Sequence, residues 1–273
     1  MSSPFRDACL LLVLSLTISL FAAARDRELR VCADPENLPF SNIQQAGFEN
    51  HIAELVARDL DARLIYVWQR MGRGFVREYL GNGKCDLLVG VPTNYPAVLT
   101  TDPYYRSTYV FVMRRDATFQ LASFDSPELR NLKVGVQVLD EDYTPPGQAL
   151  ARRGLQDHLV GFDTLGENAG SIIRAVANRR VDIGIVWGPL AGYFARERGN
   201  DLLIRPVKPE VDPPGLPFTF AISMGVRKGN TGLRDELEQV LLERKAEIRR
   251  ILDDYGVPEL PLAPEVEPTK AGQ

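Results

Sequence analysis

Residues that most often carry catalysis are scarce in this chain. Its 273 residues include two histidines and three cysteines, and no G-x-S-x-G, H-E-x-x-H, P-loop or Cys–His arrangement occurs. His51 falls on a predicted helix and His158 beside a predicted strand; both read as structural or exposed, and no catalytic residue is assigned. Neither sign of charge dominates. The net charge is −4 and the isoelectric point about 5.4, so nothing favours nucleic acid or an anionic membrane as a partner. No metal site is predicted: two isolated cysteines without clustered histidines are a poor one. Asp140-Glu141-Asp142-Tyr143 reads as a solvated loop, because no calcium loop of the EF type accompanies it.

One long apolar run is present, Leu10 to Phe21, and it is too short for a comfortable membrane span. Arg6 precedes it and Ala22-Ala23-Ala24 follows, which together predict a secretory signal peptide over residues 1–24. The expected mature chain starts near Arg25, resides in the periplasm and is not inserted in a membrane. Cys9 leaves with the signal peptide, so Cys32 and Cys85 are the exported pair. In an oxidising compartment such a pair is usually bridged. Cys32 sits within a predicted strand, Leu29 to Ala33, and Cys85 immediately precedes another, Asp86 to Val91. In a doubly wound sheet of flavodoxin-like order those strands are neighbours. A disulfide is expected.

Apolar periodicity predicts two similar α/β halves. In the first, strands at 29–33, 64–68 and 86–91 alternate with a helix from Phe48 to Leu60 and a short helix from Phe75 to Leu80. On the longer helix Glu49, Glu54 and Arg58 are assigned to the face opposite the apolar one. Tyr104 to Met113 reads as extended. In the second half, strands at 132–137, 158–162 and 181–187 alternate with helices at 148–153, about 172–177 and about 193–198. Five prolines between Arg205 and Pro217 suggest a stiff irregular connection. An extended segment at 218–227 and one long helix from Leu233 to Leu252 follow, and the proline-punctuated stretch 258–273 reads as a disordered tail.

Two such lobes behind a signal peptide resemble the type II periplasmic solute-binding fold over about residues 29–257. Leu38-Pro39-Phe40, Gly47-Phe48-Glu49, Asp86-Leu87-Leu88-Val89-Gly90 and Asp102-Pro103-Tyr104-Tyr105 carry that resemblance. It implies two doubly wound lobes joined by extended hinge strands at Tyr104 to Thr108 and about Phe218 to Phe220. Lobe 1 would comprise 25–104 and 220–257, and lobe 2 would comprise 105–219. In amino-acid-binding members an arginine clamps the ligand carboxylate and an aspartate holds its ammonium. Here Ala97 and Trp187 stand at those places. An uncharged cleft of this kind would leave both charges of an amino acid unpaired.

A narrower resemblance is carried by longer runs: Arg30-Val31-Cys32-Ala33-Asp34-Pro35, Tyr104-Tyr105-Arg106-Ser107-Thr108-Tyr109 and Val186-Trp187-Gly188-Pro189-Leu190-Ala191-Gly192-Tyr193. These are similar to the J-type periplasmic proteins encoded beside quinoprotein methanol dehydrogenases. The resemblance implies a non-catalytic accessory role toward a periplasmic PQQ-dependent alcohol dehydrogenase, with no cofactor of the chain's own. A transport receptor for a small non-amino-acid solute and a cleft enzyme on the same fold remain alternatives. Asp34, Asn37, Phe40, Trp68, Pro92, Tyr104, Tyr105, Gln137 and Trp187 are the expected cleft residues for a small ligand or a partner. Trp187, at a strand's C-terminal end, follows the general rule for open α/β sheets. For Phe75 and Tyr193 a core position is at least as good a reading. Trp187 and Tyr104 are the expected anchors for a protein partner.

Overall fold

Leu29 and Val31 on one strand, and Leu87 to Val89 on another, are buried apolar side chains, so these segments form the middle of a sheet. In the computed structural model the described residues are 27–262, except 120, 122, 140, 141, 197, 198 and 200. The expected signal peptide, Asp140 and Glu141 of the acidic loop, and residues 263–273 of the expected tail lie outside them.

The first lobe begins with β1 (Arg27–Ala33), followed by the paired two-residue strands β2 (Glu36–Asn37) and β3 (Ser41–Asn42). Helix α1 (Phe48–Asp59) packs Phe48, Ile52, Leu55 and Val56 into the core and leads to β4 (Ala62–Trp68). The expected helix near Phe75 closes as a wide π turn at Arg77–Gly81. Next come β5 (Leu87–Pro92) and the short β6 (Leu99–Thr100). Strands β4, β1 and β5 are parallel with β1 in the middle. That order makes the Cys32 and Cys85 strands neighbours, and the expected disulfide is present with Cα atoms 5.5 Å apart.

β7 (Tyr105–Arg114) carries the chain into the second lobe, which contains β8 (Val134–Leu139), β9 (Asp142–Tyr143), α2 (Pro145–Arg152), β10 (Leu159–Asp163), α3 (Ser171–Ala177), β11 (Ile183–Trp187) and α4 (Gly188–Arg196). Here β10, β8 and β11 are parallel, again with the first strand in the middle. The proline-rich stretch is more ordered than its composition suggests. It holds the end of β12 (Leu202–Pro206), an edge strand antiparallel to β7, and a hairpin of β13 (Val211–Asp212) and β14 (Leu216–Pro217). Edge strands and turns tolerate proline, which is why the breaker reading fails. The hairpin is tied down by Asp212, whose side chain is 1 % exposed and accepts bonds from Arg152 at 2.6 Å and from Arg153 at 2.6 and 3.0 Å.

β15 (Thr219–Val226) returns the chain to the first lobe. It pairs antiparallel with β7 at Tyr105 to Thr108 and then with β5, so one continuous sheet runs β10-β8-β11-β7-β15-β5-β1-β4. The single long helix expected from Leu233 to Leu252 is two, α5 (Thr231–Glu243) and α6 (Lys245–Asp254). The break falls at Arg244, whose guanidinium reaches the Asp59 carboxylate of α1 at 2.6 and 2.8 Å.

The chain then crosses back to lobe 2. Tyr255 stacks on Tyr193 of α4, and Arg196 donates to the carbonyls of Asp253 and Asp254 at the end of α6. Gly192 lies against Gly256, where a Cβ on the former would collide with the latter's carbonyl oxygen. The stretch 258–262, expected to open a disordered tail, is bonded to β7. Ser107 donates to the Pro258 carbonyl at 2.7 Å, and the Leu260 N–H donates to the Arg106 carbonyl at 2.8 Å.

Candidate functional site

The C-terminal ends of the parallel strands in both lobes face one another, as ligand sites in open α/β sheets do. Between them lies a cavity of about 310 Å³. Asn37, Phe40, Pro92, Tyr105 and Trp187, all expected cleft residues, line it. Phe40 packs against the cores of both lobes, as does Trp187.

Two other expected residues stand behind the wall and position it. Asp34 is buried; its carboxylate accepts the N–H groups of Glu36 at 2.9 Å and Met71 at 2.8 Å, which fixes the loop presenting Asn37 and Phe40. Gln137 is buried on β8, where its Oε1 accepts the Trp187 N–H at 2.6 Å and its Nε2 donates to Thr164 at 2.8 Å. The indole of Trp187 then packs edge-on to Tyr109 and Phe220, with ring centroids 5.4 and 5.8 Å apart.

The remaining two do not reach the cavity. Tyr104 donates to the Val89 carbonyl at 3.0 Å and packs on the lobe 1 core. Trp68 stacks on Tyr66 at 4.6 Å, on the outermost strand of that lobe. Tyr104 and Trp187, the expected anchors for a partner, are both half-buried, and of the two only Trp187 lines the cavity. Ala97, at the clamp position, is exposed and off the cavity wall. Phe75 is core, beside the disulfide, and Tyr193 lies at the lobe interface.

Sequence reasoning missed the only ionisable acid in the lining, Glu49. Placed on the outward face of its helix in the sequence reading, it stands instead in the first turn of α1 and points at Gly90, whose hydrogen leaves room for it. A Cβ on Gly90 would collide with Glu49 Oε1. Among the described residues no hydrogen bond or ion pair reaches this carboxyl, and burial pushes its pKa up to about 8. The hydroxyls of Tyr66, Tyr104 and Tyr105 are also raised, chiefly by burial with the Glu49 charge adding to it, Tyr66 to about 12. The expected uncharged cleft is therefore corrected to one with a single acid. The Gly47-Phe48-Glu49 run was the available signal, but a helix's first turn precedes the period that separates its faces. Tyr109 and Phe220, also missed as lining residues, come from the strands that pass between the lobes.

One acid, several aromatic rings and no lysine, arginine or histidine line this space. The set can surround an apolar or cationic group, and it offers no cationic side chain to the carboxylate of an amino acid.

A family model described as bacterial extracellular solute-binding proteins, family 3, matches residues 29–258. Protein MoxJ of Methylorubrum extorquens is 31% identical over 254 residues, covering 86% of this chain and 82% of its own. The crystal structure of the periplasmic binding protein XoxJ from Methylobacterium extorquens AM1 aligns with a TM-score of 0.69 at 36% identity, covering 86% of this chain and 100% of that one. That of MxaJ from Methlophaga aminisulfidivorans MPT aligns with a TM-score of 0.74 at 26% identity, covering 85% and 100%. With two βαβ lobes, paired crossing strands and a match along nearly all of the described body, the chain belongs to the bacterial extracellular solute-binding proteins, family 3, and within it is similar to MoxJ, MxaJ and XoxJ.

Proposed function

We propose that this chain is a non-catalytic periplasmic accessory protein of a PQQ-dependent methanol or alcohol dehydrogenase. The observation that carries this reading is the chain-wide similarity to MoxJ, 31% over 86% of the chain. The loss of the amino-acid clamp at Ala97 and Trp187 supports it. The protein reaches the periplasm through cleavage of residues 1–24, and N-terminal sequencing of the mature form should begin near Arg25.

Contact with the dehydrogenase is assigned to the cleft rim, because Trp187 is half-buried on the cavity wall and Tyr104 is bonded to the Val89 carbonyl behind it. Ile43 just after β3, Leu139 at the end of β8 and Leu165 shortly after β10 are 54%, 48% and 43% exposed. These exposed apolar side chains are taken as the contact points. Interferometry with the dehydrogenase encoded nearest to this gene, with and without its quinone, tests the reading. Micromolar binding, weakened at least tenfold by Ile43→Asp combined with Leu165→Asp, is the expected result. If neither form binds while a small solute does, the chain is a transport receptor. That second reading is favoured by the presence of a cavity between the lobes.

A further inference from the structure

The lone carboxyl of Glu49 makes the cavity chemically incomplete. Glu49 is half-buried on the cavity wall, and a carboxylate partly withdrawn from water is normally given a cation or several donors. Among the described residues none is supplied. The N-terminal turn of α1 favours the anion, while burial opposes it. The acids nearest its surroundings add no relief: Glu54 acts on Tyr66 and Glu259 on Tyr105. The titratable groups facing Glu49 are Tyr66 of β4, Tyr104 just before β7 and Tyr105 on it.

The other walls are suited to the opposite charge. Phe40, Tyr105, Tyr109, Trp187 and Phe220 line the same space, and aromatic faces attract cations, quaternary ammonium ions among them. No positive side chain is present to compete with a cation or to accept a carboxylate. At about 310 Å³, the cavity is at the low end of the ~300–1,000 Å³ typical of ligand pockets, which restricts the occupant to a small molecule.

We propose that the cavity between the lobes binds a small alkylammonium ion without a carboxylate, with Glu49 as its counter-charge and the aromatic rings as its walls. This site is independent of the dehydrogenase reading, since it concerns the cavity wall and not the rim. Because the ion pairs with ionised Glu49, and burial holds that group near 8, binding releases a proton at neutral pH. Affinity should rise about tenfold between pH 6 and 7 and level off above pH 8.

Calorimetry on the full mature chain decides the matter. Choline and butylammonium are compared with their neutral counterparts, 3,3-dimethylbutan-1-ol and butan-1-ol, and with the zwitterion glycine betaine. At least one cation should bind at micromolar Kd, ten times or more tighter than its neutral counterpart and than betaine. Glu49→Gln should abolish that preference. Should the variant fail to fold, the pH series on wild type replaces it: a flat profile between pH 6 and 8 overturns the proposal. Equal binding of cation and neutral counterpart overturns it, as does no cation binding below millimolar. Dehydrogenase interferometry without added solute reads the partner role separately, so either idea can fail alone.

Discussion

Tyr193 and Tyr255 stack with ring centroids 5.7 Å apart and planes 14° from parallel, although one ring belongs to each lobe. Tyr255 also donates its hydroxyl to the Ala46 carbonyl at 2.6 Å and meets Phe48 edge-on at 5.9 Å. The end of α6 thus adds a third crossing beside the two strands. Tyr255→Ala should cost about 2 kcal/mol, less than a fully buried aromatic because this ring is partly exposed. Urea unfolding gives the loss. Faster amide exchange in α4 than in wild type would locate it at the lobe contact, and unchanged exchange there would speak against the crossing.

The Cys32–Cys85 bridge spans 53 residues of sequence, for which the chain-entropy model gives about 4 kcal/mol. Reduction should lower the urea midpoint without changing the native circular dichroism spectrum at low denaturant. Peptide mapping without reductant should recover the two cysteines linked; two alkylatable thiols in the mature protein would contradict this.

Asp212 should be the acid-sensitive tie of lobe 2. Hydrogen bonds from Arg153, with Arg152 adding to them, hold its pKa below the ordinary 3.8. Its contribution is therefore present above pH ~4 and is lost as pH falls through the lower folded value. Asp212→Asn should cost about 2–3 kcal/mol at pH 7, under the 3–5 of a fully buried pair, since Arg152 is 44% exposed. The deficit relative to wild type should shrink in urea melts as pH drops below 4.

Glu49 gives the opposite pH signature. Its pKa rises from the ordinary 4.5 to about 8 on burial, so the folded state holds the proton more tightly. Stability from this group is full below pH ~4 and declines as pH rises through 8. Glu49→Gln cannot ionise, so its Tm should equal that of wild type near pH 4 and exceed it at pH 9. A wild type that gains on the variant over that range would refute the assignment.

Free amino acids should bind no tighter than millimolar. Their carboxylate would enter a space lined by no cation and containing Glu49, and an unpaired buried charge costs several kcal/mol, on the order of breaking a buried ion pair. A calorimetric panel of amino acids checks this directly; micromolar affinity for any of them would mean that a different pair of charges does the clamping.

Most of the architecture was legible because apolar strands and amphipathic helices alternate with clear turn signals. Cys32 and Cys85 could be paired because they are the two cysteines left after the expected export and lie on strands expected to be neighbours, and Trp187 could be placed at a strand end facing the cleft. Other features depend on contacts far apart in sequence. Nothing local in Arg244 announces that it leaves the helix to meet Asp59, and Asp212 organises a proline-rich hairpin only because Arg152 and Arg153 lie above it. Glu49 looked like a surface acid because its neighbours Glu54 and Arg58 do face outward. Its true direction is set by Gly90, forty residues further on, where a side chain is missing.

The facing pair Gly192 and Gly256 works as a shim of zero thickness. Their backbones meet where the middle of α4 rests on the turn after α6, so the gap between the lobes at that point is set by the atoms that are absent. A single methyl added to Gly192 would collide with the Gly256 carbonyl oxygen and act as a wedge between the lobes without altering one lining residue. The spacing of the lobes is then open to adjustment by a substitution that no inspection of the cavity would single out.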